Sequence, residues 1–211
     1  MTTWVVFCTA QMSKELLETF IKESTQGRFT PKDPSPWVLQ KTPAAPVAGP
    51  CFGVPAPIFQ TGFENAPILS LQEFVTTKIN DKGDMPDVPG ELSNSSFIVL
   101  DKRSIVDLTC EVHYRYDHMP EGEWLEYDKA LEIQEWKVWR VRFRMAWPLL
   151  AGLWHGPEDI FDMFEGGTKA YIDEKGVAQL AAVEQDTYEF PEFEDRAPLG
   201  PEERTTSGTS D

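Results

Sequence analysis

Charged side chains follow a run of apolar residues at Asp101, Lys102 and Arg103. The run over residues 97–100 predicts a buried strand, and ligands of α/β proteins bind at the carboxyl ends of such strands. There Asp101 could orient a ligand hydroxyl or a histidine, and Arg103 could bind a carboxylate or a phosphate. The simpler interpretation, which we favour, is that Asp101 caps a turn and pairs with Arg103.

Three arginines, Arg140, Arg142 and Arg144, recur at every second position at the end of a predicted strand. Side chains with this spacing share one face of a strand and could bind an anion. Residues 117–135, just before them, contain seven acidic side chains and one lysine, a net charge of −6. We favour the interpretation that these acids form a loop or hairpin that folds back and pairs with the arginines.

The histidines suggest two further kinds of site. His113 and His118 flank Asp117, and Glu111 lies on the strand face of His113. Imidazoles with carboxylates can bind zinc or iron. Residues five positions apart on a strand point to opposite faces, so we expect no metal site and interpret the His113 face as solvated. His155 could act as a general base oriented by Glu158 or Asp159. The alternative is a histidine that caps the end of a helix.

The other reactive or aromatic residues form no recognised motif. Cys8, Cys51 and Cys110 have no CxxC spacing, so they predict neither a disulfide framework nor a zinc site. Cys8 could be a thiolate activated by a following helix, but a buried cysteine is usually a small apolar residue. GxGxxG, GxxxxGK[ST], GxSxG and HExxH are absent, and we expect no cofactor. An aromatic pocket or core packing could explain the tryptophans at 124, 136, 139, 147 and 154.

The elements that would position these residues alternate between strand and helix patterns, which predicts an α/β fold. Strands are predicted at residues 3–9, 97–100, 109–117 and 136–143, with a short one at 37–39, and strict alternation over 109–117 puts Glu111 and His113 on one face. Helices are predicted after an N-cap at Ser13, at 70–79 and as a short pair over 148–167, with a polar link at 80–95. Pro148 suits the first turn of the first helix of that pair, and Gly156 suits its end. We therefore predict one α/β domain over residues 1–182, with a mixed sheet of about five strands and flanking helices.

Two segments differ in composition from this domain. Residues 25–67 contain nine of the 17 prolines, which predicts a long excursion that is either functional or loosely attached. Residues 183–211 carry nine acidic and two basic side chains, a net charge of −7, and predict a disordered acidic tail.

The net charge of −16 over 211 residues argues against a general binder of nucleic acid or anionic membranes, since both would repel the chain. The longest apolar stretch, residues 147–154, is far shorter than the about 20 residues that a membrane span needs. With no signal peptide pattern and few cysteines, the chain is expected to be cytoplasmic, with reduced thiols.

Several segments resemble a family of small bacterial and fungal α/β proteins of unknown function. The matching segments are Ser-Phe-Ile-Val-Leu-Asp-Lys-Arg at 96–103, Trp-Arg-Val at 139–141, Trp147, and Pro-Glu-Asp-Ile-Phe-Asp-Met-Phe at 157–164. The resemblance covers roughly residues 62–177. It implies an α/β layout and no catalytic residue.

Two classes of function remain open. The first is a non-catalytic protein that binds a protein partner through the Pro-rich excursion or the aromatic region. The second is a small-molecule enzyme, or a binder of an anionic metabolite, that uses the Asp101/Arg103 edge with His155 and the arginines Arg140 and Arg142. Convergence of these five side chains on one pocket would favour the second class.

Overall fold

The computed structural model describes residues 2–26, 35–44, 52–79, 91–117, 134–157, 160–161 and 170–180. They form one α/β domain built on a mixed sheet. The strands are β1 (Thr2–Cys8), β2 (Trp37–Gln40), β3 (Glu91–Leu100), β4 (Thr109–Asp117), β5 (Gln134–Arg142), β6 (Ala170–Ile172) and β7 (Ala178–Leu180). The α-helices are α1 (Lys14–Ser24), α2 (Ile68–Lys78), α3 (Ser104–Asp107) and α4 (Ala146–His155).

The sheet has the strand order β2-β1-β3-β4-β5-β7-β6. β1 lies parallel to β2 and β3, whereas β3, β4 and β5 are antiparallel neighbours. β7 is parallel to β5 at the single pair Val141 and Ala178. The predicted fold class is confirmed, but the described sheet has seven strands rather than about five. The two that were missed, β6 and β7, are three residues each, too short for an alternating pattern to reveal.

Opposite faces of the sheet carry different helices. α2 and Phe63 pack on the face that contains Val5, Phe7 and Phe97. α1 packs on the other face, where Phe20 contacts Trp37 with ring centroids 5.3 Å apart. A central strand with helices on both faces is buried on both sides, which explains the continuous apolar runs of β1 and of residues 97–100.

Local signals correctly predicted the start of α1 and the end of α4. The Ser13 side chain accepts a hydrogen bond from the Leu16 amide at 3.2 Å, as an N-cap does. Pro148 lies in the first turn of α4, where its missing N–H is tolerated, and Gly156 follows the last residue. Of the second predicted short helix, residues 157, 160 and 161 are helical and the others lie outside the described residues.

The polar link predicted at 80–95 is wrong for its last five residues, because β3 begins at Glu91. The register between β1 and β3 shifts here: Thr3 pairs with Leu92, and Val5 pairs with Phe97. Ser93 and Ser96 join their hydroxyls at 2.8 Å within this irregular stretch. A bulged, serine-rich strand lacks the apolar alternation on which the prediction depended.

The Pro-rich excursion contributes large side chains to the core in the parts that the structure describes. Trp37 of β2 is fully buried and donates its indole hydrogen to Ser24 Oγ at 2.8 Å. Phe52 and Phe63 are buried as well, and the Phe52 amide bonds to the carbonyl of Trp37. Residues 27–34 and 45–51, with Cys51, lie outside the described residues.

The acidic segments are described only at their margins. β4 and β5 pair along their whole lengths, from Thr109 opposite Arg142 to Asp117 opposite Gln134. The two strands that flank the acidic segment therefore pair with each other, while the predicted loop or hairpin itself falls on residues 118–133, which lie outside the described residues. One compact unit runs from Met1 to Ala181, and the remaining residues to Asp211 are likewise not described.

Candidate functional site

The polar side chains that the sequence singled out meet around one arginine of β5. Arg140 donates two hydrogen bonds to Asp101, from Nη2 to Oδ2 at 2.6 Å and from Nη1 to Oδ1 at 3.2 Å. It also donates from Nη2 to Glu111 Oε1 at 2.7 Å and from Nη1 to Thr109 Oγ1 at 3.2 Å. The Arg140 side chain is only 9% exposed, so the guanidinium is shielded from water. We call Arg140, Asp101, Glu111 and His113 the Arg140 cluster.

Backbone geometry brings these residues together. Glu111 and Arg140 are direct partners in the antiparallel β4–β5 ladder, so their side chains rise from the same face. Asp101 follows the last residue of β3, and β3 is the neighbour of β4 on the other side. The Asp101 carboxylate Oδ1 accepts hydrogen bonds from the amide and hydroxyl of Ser104, both at 3.0 Å, and so caps the α3 turn.

His113 is buried in this cluster, and the prediction of a solvated face is wrong for it. Its side chain is 1% exposed and its ring stacks flat on Phe97, with centroids 4.6 Å apart. Nε2 lies 3.2 Å from Glu111 Oε2, and since an ionised carboxylate only accepts, Nε2 carries the hydrogen. Nδ1 has no hydrogen-bond partner among the described residues. Phe97 belongs to the apolar core that packs against α2, so His113 lies at the border of that core.

The electrostatics of the cluster favour the charged forms. Burial opposes ionisation of Asp101, but hydrogen bonds from Arg140 and Ser104 outweigh it and lower the pKa of the carboxyl. The hydrogen bond from His113 and the charge of Arg140 lower the pKa of Glu111 against the effect of burial. The two carboxylates in turn raise the pKa of Arg140, although burial acts in the opposite direction. The cluster is therefore an internal ion network.

Arg103 pairs with Asp107 rather than with Asp101. Its Nε donates to Asp107 Oδ2 at 2.8 Å, and its Nη2 donates to the carbonyl of Lys175. Asp107 also accepts a hydrogen bond from Thr109 Oγ1 at 2.5 Å. Thus the predicted turn cap at Asp101 is present, but its predicted partner is replaced by Arg140. Thr109 links the two ion pairs, because its hydroxyl also accepts from Arg140.

The three arginines at 140, 142 and 144 do not form one row, because only Arg140 belongs to the cluster. β5 ends at Arg142, and Arg144 belongs to a 3-10 turn over Phe143–Met145, so the alternation of a strand does not extend to it. The Arg142 and Arg144 side chains are exposed. Burial raises the pKa of Glu23, although the positive charges of these two arginines act to lower it. The acidic partners of Arg140 that the structure describes are Asp101 and Glu111. Neither belongs to the acidic segment 117–135 that was predicted to pair with the arginines.

His155 does not join the cluster. It is exposed at the end of α4, where a cationic side chain would interact favourably with the helix dipole. Glu158 and Asp159, its proposed orienting residues, lie outside the described residues, as does His118. Within the described part of the chain, no group of three or more His, Cys, Asp or Glu side chains could hold a metal ion.

The crevice at the carboxyl ends of β1 and β3 is occupied by the chain itself. Thr61 donates its hydroxyl hydrogen to the carbonyl of Cys8 at 2.5 Å, and the Asn65 amide bonds to the carbonyl of Thr9 at 2.9 Å. Gln11 bonds to the carbonyl of Phe59 at 2.6 Å. This edge is the usual ligand site of open α/β sheets. Here residues 59–65 cover it.

The cysteines and tryptophans that the sequence singled out pack as structural residues where the structure describes them. Burial raises the pKa of the Cys8 thiol to about 12 and also raises that of Cys110, so neither is activated as a thiolate. Trp136 packs against Phe97 with centroids 5.4 Å apart, whereas Trp139 stacks on Phe161 at 5.9 Å. Since positions 136 and 139 of a strand point to opposite faces, these two tryptophans do not line one pocket.

No protein-family model, curated protein or solved structure matches this chain. The resemblance to small bacterial and fungal proteins therefore stays a prediction. None of the described helices is long and apolar enough to cross a membrane.

Sequence reasoning missed the roles of Glu111, Thr109 and Ser104. The alternation along β4 correctly put Glu111 and His113 on one face, but it could not identify the partner across the ladder. In a hairpin with a short turn, the loop length fixes the register. Here residues 118–133 separate the strands, so the pairing of Glu111 with Arg140 was not encoded in any local pattern.

Proposed function

We propose that this protein is a non-catalytic binding protein that acts through a protein partner. The observation that carries the proposal is that the Arg140 guanidinium and the carboxylates beside it bond to one another within the chain. Arg140 has two carboxylates as partners, and Asp101 uses both oxygens within the chain. An anionic substrate would have to displace two carboxylates from one buried guanidinium, which is costly in a partly desolvated site.

The contact surface is better sought outside the Pro-rich excursion. Its described part contributes Trp37, Phe52 and Phe63 to the core, which leaves those side chains unable to reach a partner. The excursion does expose Val54 and Ile58, but these two lie four positions apart, whereas elsewhere exposed apolar side chains are grouped more closely. Groups of such residues mark interaction sites more often than single ones. We also propose a cytoplasmic location, which the free thiols Cys8 and Cys110 support.

Affinity purification of the full chain from its own cells tests the proposal. We expect one protein to co-purify in a fixed ratio, and the purified pair to re-form a complex from its separated components. His155→Ala and Arg142→Ala serve as controls, because both side chains are exposed and the binding function should survive their loss. A chain that purifies alone, and that forms no complex at high concentration with any co-purified candidate, would contradict the proposal.

The alternative is a small-molecule enzyme or anionic-metabolite binder at the Asp101/Arg103 edge with His155. Its support is the convergence of Asp101 with Arg140, two of the five side chains on which this alternative depends. A thermal-shift screen with phosphate- and carboxylate-containing metabolites distinguishes the two functions. At about 100 times its Kd a ligand adds about 2.7 kcal/mol, a rise of roughly 5–11 °C for a chain of this size. A rise that Arg103→Ala abolishes would favour the alternative.

A further inference from the structure

The turn between β3 and β4 exposes three large apolar side chains. Ile105 is 49% exposed, Val106 83% and Leu108 38%, all within four consecutive positions of the α3 turn, residues 101–108. Single exposed apolar residues are common on soluble proteins and need no explanation. A group of three in one short turn is a small apolar patch of the kind that contacts partners.

Two ion pairs and several hydrogen bonds hold the backbone beneath this patch. The Asp101 amide donates to Ser104 Oγ at 2.9 Å, and the Ser104 hydroxyl and amide return to the Asp101 carboxylate. Arg140 fixes that carboxylate from β5, and Arg103 pairs with Asp107 across the turn. The patch is therefore held in one conformation before any partner arrives, which lowers the entropy that binding must remove.

Leu108 adds an unusual backbone conformation. Its φ of 55° and ψ of 43° are left-handed, a region that favours glycine and disfavours a leucine. The surrounding bonds impose this conformation: its amide donates to the Ser104 carbonyl at 3.3 Å, and its own carbonyl accepts from the Phe143 amide at 3.1 Å. Strained residues of this kind persist where the structure over-determines them, and they concentrate at functional sites.

The charges around the patch indicate the chemistry of the partner. Among the basic side chains described near this turn, Arg103 is neutralised by Asp107, and the charge of Lys175 is attracted to the Asp173 carboxylate. Lys102 is exposed, and its ammonium bonds at 3.0 Å to the side-chain oxygen of Asn65, an uncharged group. The Lys102 ammonium is thus a positive charge in the same turn as the apolar patch, and such a charge complements a carboxylate.

We propose that the α3 turn is the docking surface for a partner protein segment that carries a large apolar side chain next to a carboxylate. The apolar side chain packs on Ile105, Val106 and Leu108, and the carboxylate pairs with Lys102. This inference rests on the proposed function, of which it names the contact surface. It assigns the Arg140 cluster a positioning role, since the cluster holds the turn and touches no partner atom.

Selection of peptides from a random display library on the immobilised full chain tests the inference. We expect the enriched peptides to combine a large apolar residue with a neighbouring Asp or Glu. Val106→Asp should lower the affinity for a synthetic copy of an enriched peptide at least about tenfold, which is the effect of losing one anchor residue. Lys102→Glu should weaken it more than Lys102→Gln does. Ile58→Asp is the matched control, because Ile58 is 88% exposed and lies in another loop.

The outcomes distinguish an error in the docking surface from an error in the binding function. Unchanged affinity in Val106→Asp and in the milder Val106→Ser, both checked for wild-type melting temperature, would overturn the inference. The inference would also be overturned if the enriched peptides lack carboxylates, or if Ile58→Asp lowers their affinity as much as Val106→Asp does. If the co-purifying partner binds the Val106→Asp variant normally, the docking surface is wrong while the binding function stands. A chain with neither a peptide winner nor a natural partner would defeat both.

Discussion

Arg140 is the residue on which the polar side of the domain depends. It bridges the end of β3, through Asp101, to the beginning of β4, through Glu111. Its guanidinium is the main counter-charge for two partly buried carboxylates, and neither would keep its present environment without it. Such a buried network stabilises one arrangement of strands and turn, although its net contribution to stability relative to apolar packing is small.

Replacing Arg140 by methionine should lower the free energy of unfolding at pH 7 by about 3 kcal/mol, because it leaves two carboxylates without their guanidinium. Urea unfolding followed by circular dichroism measures the change. Arg142→Met is the control, since Arg142 is exposed at the end of the same strand and should change stability by at most about 0.5 kcal/mol. Equal losses in both variants would contradict the assigned role of Arg140.

The pH dependence of stability should carry the signature of the same cluster. The pKa values of Asp101 and Glu111 are lowered in the folded chain, so their ionised forms favour folding. This contribution is present above the unfolded-state pKa of about 4 and is lost as the pH falls through the folded-state values.

Wild-type stability should therefore decrease on acidification below about pH 4, and Arg140→Met should show a shallower decrease. Urea unfolding at a series of pH values between neutrality and acid measures both slopes. Because the rest of the chain also titrates, the informative quantity is the difference between the two curves. Parallel curves would mean that Arg140 does not control the ionisation of these carboxylates.

At the scale of elements, β2 connects a proline-rich stretch to the core. It pairs with β1 in parallel, from Trp4 beside Trp37 to Phe7 beside Gln40. As the edge strand of the sheet it tolerates prolines on both sides, which a central strand would not. The excursion is therefore a crossover that supplies an edge strand and a cover for the strand ends, and its removal would take Trp37 and Phe52 from the core.

Trp37→Ala should cost about 3–5 kcal/mol, because it empties a large buried volume and leaves Ser24 without its indole partner. Ile58→Ala, in the same excursion but 88% exposed, should change the free energy of unfolding by at most about 0.5 kcal/mol. Urea unfolding of both variants makes the comparison. A Trp37→Ala variant as stable as wild type would indicate that the excursion is only loosely attached to the domain.

At the scale of the whole molecule, the charge is unevenly distributed. The segments 117–135 and 183–211 carry net charges of −6 and −7, which leaves −3 of the total of −16 for the rest. The Arg140 cluster and the arginines at the end of β5 belong to this nearly neutral remainder. Repulsion of polyanions is therefore a property of the acidic segments more than of the sheet and its helices.

A chain ending at Ala181 should unfold with the same midpoint and slope in urea as the full chain, because the compact unit runs from Met1 to Ala181. The denaturant slope reports the surface exposed on unfolding, so it would detect any part of the tail that folds with the domain. A truncated chain with a lower midpoint or a smaller slope would contradict the predicted boundary near residue 182.

The sequence predicted local features well because their causes are local. The Ser13 cap, the Pro148 start of α4 and the alternation of β4 each depend on a few neighbouring residues. It failed for His113, because its burial depends on contacts with other elements, such as the stack on Phe97 of the neighbouring strand, which no local pattern records. It failed again at residues 91–95, where a bulge replaced the regular pattern of a strand.

From the sequence alone, the α/β class, most of the strands and helices, and the polar character of the β3 end could be determined. These follow from periodicity, capping residues and the short range of backbone preferences. Only the tertiary structure decided that Arg140 belongs to Asp101 and Glu111, that Arg103 belongs to Asp107, and that His155 stands apart. The physical reason is register: residues 118–133 lie between β4 and β5, so no local turn fixed which side chains would meet.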